Sequence, residues 1–178
     1  MSAIAHALPP FQAFLDEHLE PVRAFVRGMV GPNDAEDCLQ DTFLAALRAY
    51  PRAEPRNLRA WVLTIARHKA IDHHRSRAGR AVPVAEPQEV IDRQGHRGRS
   101  ASADGALGMS PRHSEIWAAV AELPPGQRAA VVLRFAVDLR YRDVGEALGT
   151  SEDAARQSVR EALRKLRANA AELKEMAR

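Results

Sequence analysis

The sequence predicts an all-α fold of two small helical domains joined by a flexible linker, the second domain carrying a helix-turn-helix. Three observations lead there. Apolar residues recur at helical spacing through most of the chain, and the best strand candidate, Val131-Val132-Leu133, sits inside such a period. Aromatics are only 5% of the 178 residues, while Ala, Leu, Arg and Glu dominate. A stretch rich in Pro, Gly and Ser divides the periodic parts, giving domains over 1–78 and 113–178 with a linker over 79–112.

The elements follow in order. Residues before Pro10 read as a loose tail. Phe14, Leu15, Leu19, Val22, Phe25, Val26 and Met29 mark helical turns, with Pro21 expected to end one helix and open the next. Gly31-Pro32-Asn33 breaks the chain. Asn33 or Asp34 is expected to cap a helix to about Ala49, with Cys38, Leu39, Thr42, Phe43, Ala46 and Leu47 inward. Tyr50 to Pro55 is an irregular loop. Asn57 is expected to cap a helix whose Leu58, Trp61, Val62, Ile65, Ala66 and Ile71 face the core.

From Ala78 to Pro111 no period is sustained and the charges cancel, with a short helix expected near Glu86 to Arg93. Ser114 is the expected cap of a helix through Ile116, Trp117, Ala119, Val120 and Leu123. Pro124-Pro125 ends it and opens another through Ala129, Val132, Leu133 and Phe135.

Val144 to Leu166 then reads as two helices about a tight turn. Val144, Ala147 and Leu148 form an apolar face, and Gly149 supplies a positive φ. Ser151 is the cap, with Glu152 and Asp153 in the first turn, where the helix dipole favours acids. Ala155, Val159, Ala162, Leu163 and Leu166 make a stripe opposite Arg156, Gln157, Arg160 and Arg164. Arg pairs bidentately with guanine and Gln with adenine in the major groove. A DNA-reading helix and an ordinary hairpin with a solvated basic face fit these residues equally.

Charge is uneven although the net is only +3. Phe11 to Tyr50 holds seven acids against three Arg, and Arg56 to Arg80 holds seven bases against Asp72 alone. Such asymmetry fits one surface for a polyanion and another for a different partner. Cys38 is the sole cysteine, so neither an internal disulfide nor a cysteine-based zinc site is possible. No apolar run approaches the roughly 20 residues that span a bilayer, and no signal peptide is evident. A cytoplasmic protein without membrane insertion is expected.

Three motifs, in this order, resemble the extracytoplasmic-function class of bacterial sigma factors. They are Asp34-Ala-Glu-Asp-Cys-Leu-Gln-Asp-Thr-Phe43; Leu58-Arg-Ala-Trp-Val-Leu-Thr-Ile-Ala-Arg67 through Ile71-Asp72-His73; and Leu123-Pro124 with Gln127-Arg128 and Leu133-Arg134, followed by the helix-turn-helix. The resemblance implies a transcription initiation factor, not an enzyme. It would bind core RNA polymerase, direct it to promoter DNA and help melt the −10 region. No metal or cofactor is implied.

Glu36, Asp37, Gln40 and Asp41 share one arc by helical spacing. By resemblance this arc docks on the β′ clamp helices, and the β flap is a further polymerase contact. Asn57, Trp61, Arg67, His68, Lys69, Arg75 and Arg77 would read and melt the −10 element, although Trp61's apolar spacing favours a core role. The loop Tyr50 to Arg56 would hold an unstacked base. Ser151, Arg156, Gln157, Arg160, Arg164 and Lys165 would serve the −35 element. The linker would thread towards the polymerase channels. An anti-sigma factor is an expected partner. The chain departs from the family pattern at Arg140, where Ser commonly caps the first helix, and at Ser158, often basic. Glu152 and Asp153 also place acids near the expected phosphates.

Two rival readings remain. A helix-turn-helix regulator acting without core polymerase explains Val144 to Leu166 but not the acidic and basic helices upstream. Asp72-His73-His74 spells the DHH signature of certain phosphoesterases, but here it lies on a helix among bases. Asp72 is expected to pair with Arg75 or Lys69.

Overall fold

The computed structural model describes residues 8–53, 57–78 and 111–176, with side chains described in these stretches except at 77–78, 111–114 and 171–176. The elements are α1 (Phe11–Val30), α2 (Ala35–Ala49), a 3₁₀ turn (Tyr50–Arg52), α3 (Leu58–Ala78), α4 (Pro111–Ala121), α5 (Pro125–Val131), a π turn (Val132–Ala136), α6 (Tyr141–Leu148) and α7 (Glu152–Met176). No strand occurs among the described residues. Helices α1 to α3 pack on one another, as do α5, α6 and α7. The expected linker helix near Glu86 lies outside the described residues.

An aromatic cluster anchors the first group. Phe14 is fully buried, and its ring lies 5.0 Å from Tyr50, 5.7 Å from Trp61, 6.4 Å from Phe43 and 4.8 Å from His18. It therefore joins α1, α2, the 3₁₀ turn and α3. Tilted and edge-on aromatic pairs add about 0.5–1.5 kcal/mol each beyond the area they bury. The expected tail is tied down at its end. Leu8 packs against the core, and the Tyr50 hydroxyl donates to Pro9 O at 2.8 Å.

Helix α1 runs unbroken through Pro21, contrary to the expected division there. An interior proline costs a helix about 3 kcal/mol. Phe14, Val22, Phe25 and Val26 are fully buried on the same helix, each worth about 1.5–3 kcal/mol, so shared burial outweighs the lost bond. Asp34 is the N-cap of α2 by position, but no side-chain cap bond forms. Its backbone is already in the right-handed helical region, not the extended one from which a side chain reaches the first turn. Asp34 instead lies 3.3 Å from His73 Nε2.

Asn57 does cap α3, with Oδ1 accepting from Ala60 N at 3.1 Å. Helix α4 starts at Pro111, two residues inside the expected linker, so Ser114 lies within the helix and is not its cap. Proline suits a first helical position because its missing N–H would have no partner there. Gly149 has φ 69° and closes α6 in the left-handed region, as the turn requires. Ser151 Oγ accepts from Ala154 N at 3.1 Å and caps α7.

Three apolar side chains expected inward are exposed. Leu47 is 47% exposed because Phe43 and Ala46 already fill the core face of α2. Phe135 is 57% exposed because the π turn, closed by Val137 N to Val132 O at 3.1 Å, rotates it off the period set by α5. Ile116 is 58% exposed at the rim of the apolar depression that Phe135 also borders.

Candidate nucleic-acid interface

Helix α2 presents a distinct acidic face. Glu36, Asp37, Gln40 and Asp41 are all exposed, while Cys38, Leu39, Thr42 and Phe43 are buried behind them. Glu36 and Asp37 occupy the first turn, where the helix dipole favours carboxylates. Arg23 of α1 approaches Glu36 at 3.8 Å. Beside this arc runs an apolar groove between α1 and α2, lined by Phe11, Leu15, Leu19, Leu39, Phe43, Leu44 and Leu47, with Glu36 and Gln40 at its edge. Leu44 and Leu47 stand exposed in it, at 42% and 47%. The apolar period of α2 puts Leu47 inward and leaves Leu44 unassigned. The spacing of Gln40, Leu44 and Leu47 was the available signal, since it places them on one stripe. The Cys38 thiol, pushed up to about 11 chiefly by burial and then by Asp41, stays protonated.

Helix α3 gathers the basic residues. His68 and Arg75 are exposed, Lys69 is half-buried, and the Arg77 side chain lies outside those described. Trp61 is half-buried in the Phe14 cluster, a core position. Arg67 is half-buried and donates to Leu148 O at 3.1 Å, and desolvation lowers its pKa. Asn57 Nδ2 donates to Glu146 Oε2 at 3.1 Å. The loop expected to hold a base is described only up to Ala53.

The DHH triplet sits on α3, and its members point to different partners. His73 faces Asp34, and His74 Nε2 lies 2.8 Å from Met29 O. Asp72 is exposed, and among the described residues it has no ion pair, so the expected partnership with Arg75 or Lys69 does not form. Arg75 is exposed, and Lys69 is half-buried, near enough to Cys38 for its charge to act on the thiol. Among the described residues no three His, Cys, Asp or Glu converge to hold a metal ion.

Helices α6 and α7 form the helix-turn-helix. Ala155, Val159 and Ala162 are buried, while Arg156, Gln157, Arg160, Arg164 and Lys165 are exposed. Ser151 is exposed and spent on its own cap. Arg156 is held at 2.6 Å by Glu152 and at 3.4 Å by Asp153, and Gln157 donates to Glu161 Oε1 at 2.8 Å. Among the described residues, Arg160 and Arg164 have no such intrahelical acid. Gly145 lets the two helices close, because a Cβ there would lie 2.9 Å from the Thr150 and Ser151 carbonyl oxygens.

Comparison with known proteins decides the family. The model for Sigma-70 region 2 matches residues 14–80, and that for Sigma-70 region 4 matches residues 113–166. The extracytoplasmic-function RNA polymerase sigma factor SigC of Mycobacterium tuberculosis is 32% identical over 162 residues, covering 89% of this chain and 82% of that one. The chain belongs to the extracytoplasmic-function sigma factors.

Another relative, the sigma factor ShbA of Streptomyces griseus, is 36% identical over 149 residues, covering 77% of this chain and 74% of its own. Two solved structures share the fold. One is the sigma factor RpoE in complex with the anti-sigma factor NepR from Bartonella quintana, with TM-score 0.63, 24% identity, and coverage of 89% of this chain and 94% of that one. The other is CnrH with the cytosolic domain of CnrY, with TM-score 0.64, 23% identity, and coverage of 90% and 87%. This sigma factor thus places its region 2 match on α1 to α3 and its region 4 match on α4 to α7. No helix among the described residues is long and apolar enough to cross a membrane.

Proposed function

We propose that this sigma factor works through three separate surfaces, each with a partner of matching chemistry. The unit over 1–78 holds core polymerase and reads the −10 element, the unit over 113–178 reads the −35 element, and 79–112 links them. The observation that carries this reading is the segregation of charge. An exposed acidic arc on α2, a basic α3 and a basic outer face on α7 occur in one chain that matches both sigma regions.

Glu36, Asp37, Gln40 and Asp41 meet basic residues of the β′ clamp helices, and Leu44 and Leu47 add apolar contact beside them. Arg67, His68, Lys69, Arg75 and Arg77 neutralise phosphates, so affinity falls with salt. Asn57 contacts an unstacked base near the N-terminus of α3. Trp61 holds α3 in place through its ring contacts. Arg160 and Arg164 are the readiest of the α7 contacts. Arg156 and Gln157 must first leave Glu152, Asp153 and Glu161.

The protein is cytoplasmic and not itself an enzyme; bond formation belongs to the polymerase. One structural neighbour is bound to the anti-sigma factor NepR and the other to the cytosolic domain of CnrY, and an anti-sigma factor is the corresponding partner here. Mapping transcript starts after overexpression tests the reading. New starts preceded by a shared pair of elements support it, and their absence refutes it. A regulator independent of polymerase would instead bind duplex DNA unaided.

A further inference from the structure

Arg156 meets both helices of the helix-turn-helix. On its own helix two acids hold it, Glu152 at 2.6 Å through Nη2 and Asp153 at 3.4 Å through Nη1. From the other helix comes Tyr141, the first residue of α6, whose ring centroid lies 5.2 Å from the guanidinium carbon. A cation within about 6 Å of an aromatic centroid is attracted by the ring's electron-rich face.

The ring is itself held in place. Tyr141 is half-buried and packs against the core. A second guanidinium, that of Arg134 in the π turn, lies 5.4 Å from the same centroid. Arg134 donates to Asp138 Oδ1 at 3.1 Å and to Leu139 O at 3.3 Å, so its charge is matched and does not drive Arg156 off the ring. Among the described residues, Arg160 and Arg164 lie over no ring.

The acids and the ring use different parts of Arg156. The carboxylates take N–H groups on both terminal nitrogens, the groups that bidentate pairing with guanine O6 and N7 needs. They must give way to a base, and they do so at little cost. Glu152 is 47% exposed and Asp153 92%, and ion pairs in such settings are weak. The ring has no lone pair aimed at those N–H groups and does not compete for them. Once the acids let go, Tyr141 is the contact left to restrain a long side chain that otherwise rotates freely.

We infer, resting on the reading of α7 as the −35 surface, that Tyr141 is a positioning residue for base readout. Its ring holds the Arg156 guanidinium so that the fork meets guanine, and thereby sets the guanine preference at one position of the element. A fork ordered in advance loses less freedom on binding, which raises affinity for the matching base. Arg160 and Arg164, without such a platform, supply charge to the phosphate backbone.

The test uses holoenzyme assembled from the full chain and core RNA polymerase. The probe is a duplex promoter found by transcript-start mapping, with its upstream element randomised. Sequencing the bound fraction reads base preference position by position. Wild type selects guanine at one position, and Arg156→Ala loses that preference. Tyr141→Leu lowers it about two- to fivefold, the factor that a cation–π contact at an exposed site supplies. The other positions and the salt slope stay as in wild type, because no phosphate contact is lost. Tyr141→Phe keeps the ring and the preference. In an Arg156→Ala background Tyr141→Leu has no further effect, because the ring acts through Arg156. Far-UV circular dichroism checks helix content, and Tyr141→Met removes the ring with a longer apolar chain should Tyr141→Leu not fold. An intact guanine preference in the folded ringless variant overturns the inference. So does an equal loss in Tyr141→Phe, the mark of a hydroxyl contact, or a loss that persists without Arg156, the mark of a packing role. If Arg156→Ala changes no position while Arg160→Ala and Arg164→Ala weaken binding, the role of Tyr141 falls and α7 remains the −35 surface. If none of the three alters binding, that reading of α7 falls as well.

Discussion

Asn57 performs two separable tasks, and substitution pulls them apart. Its Oδ1 caps α3 by accepting from Ala60 N at 3.1 Å, and its Nδ2 ties α3 to Glu146 at 3.1 Å. Asn57→Ala removes both. The cap is worth about 1 kcal/mol. The tie to Glu146 is exposed, and such a bond contributes about 0.5 kcal/mol. The sum, about 1.5 kcal/mol, lowers the melting temperature by about 3–6 °C in a chain of this size. Asn57→Asp keeps the acceptor and adds a charge that the helix N-terminus favours. It loses the donor and places a carboxylate beside Glu146. Its net loss therefore stays under about 1 kcal/mol. In a Glu146→Gln background the penalty of Asn57→Asp shrinks, because the repulsion is gone and Gln can donate. Thermal unfolding followed at 222 nm, run as a double-mutant cycle, measures each part. If Asn57→Asp melts as low as Asn57→Ala even in the Glu146→Gln background, where the repulsion is gone, the cap contributes nothing measurable and the reasoning fails.

Other outcomes follow from the same geometry. Gly149→Ala forces a side chain into the left-handed region at φ 69° and should cost about 1 kcal/mol, read by denaturant unfolding. His18 is buried against Phe14, and desolvation holds its pKa below the usual histidine value, with Glu17 opposing and Arg59 assisting. The unfolded chain then binds more protons between the two pKa values, so this contribution is full above about pH 6.5 and is lost as pH falls through the folded value. His18→Gln should flatten that part of the stability curve between neutral and mildly acidic pH. Leu44→Ser and Leu47→Ser should weaken polymerase association while shifting melting by less than about 0.5 kcal/mol, because exposed sites contribute little to folding. Arg67→Ala should lower the salt slope of holoenzyme binding to promoter DNA by about one, the mark of one lost phosphate contact.

Much of the architecture was legible because it is local. Helical spacing, the caps at Asn57 and Ser151, and the turn at Gly149 depend on residues a few positions apart. The sequence misled where distant packing decides. Pro21 looked like a break, but the buried faces of Phe14 and Val22 to Val26 hold one continuous helix across it. Phe135 followed the apolar period until a π turn shifted the register. Leu47 fits the period of α2, yet nothing in the sequence says that the core ends at Ala46. The exposed acids of α2 and bases of α7 were readable from spacing alone. The partners of Asn57 and Arg67 were not, since Glu146 and Leu148 belong to the other helical unit, far along the chain.

The proposed docking of the α2 acidic arc on core RNA polymerase is the point that one measurement tests most directly. The measurement is co-elution of the full chain with core RNA polymerase, comparing wild type with the Asp37→Lys, Asp41→Lys double variant. Both carboxylates are exposed on the acidic arc, so their reversal should leave melting nearly unchanged. We predict that wild type co-elutes and the double variant does not. Co-elution of the folded double variant with undiminished yield would contradict the account.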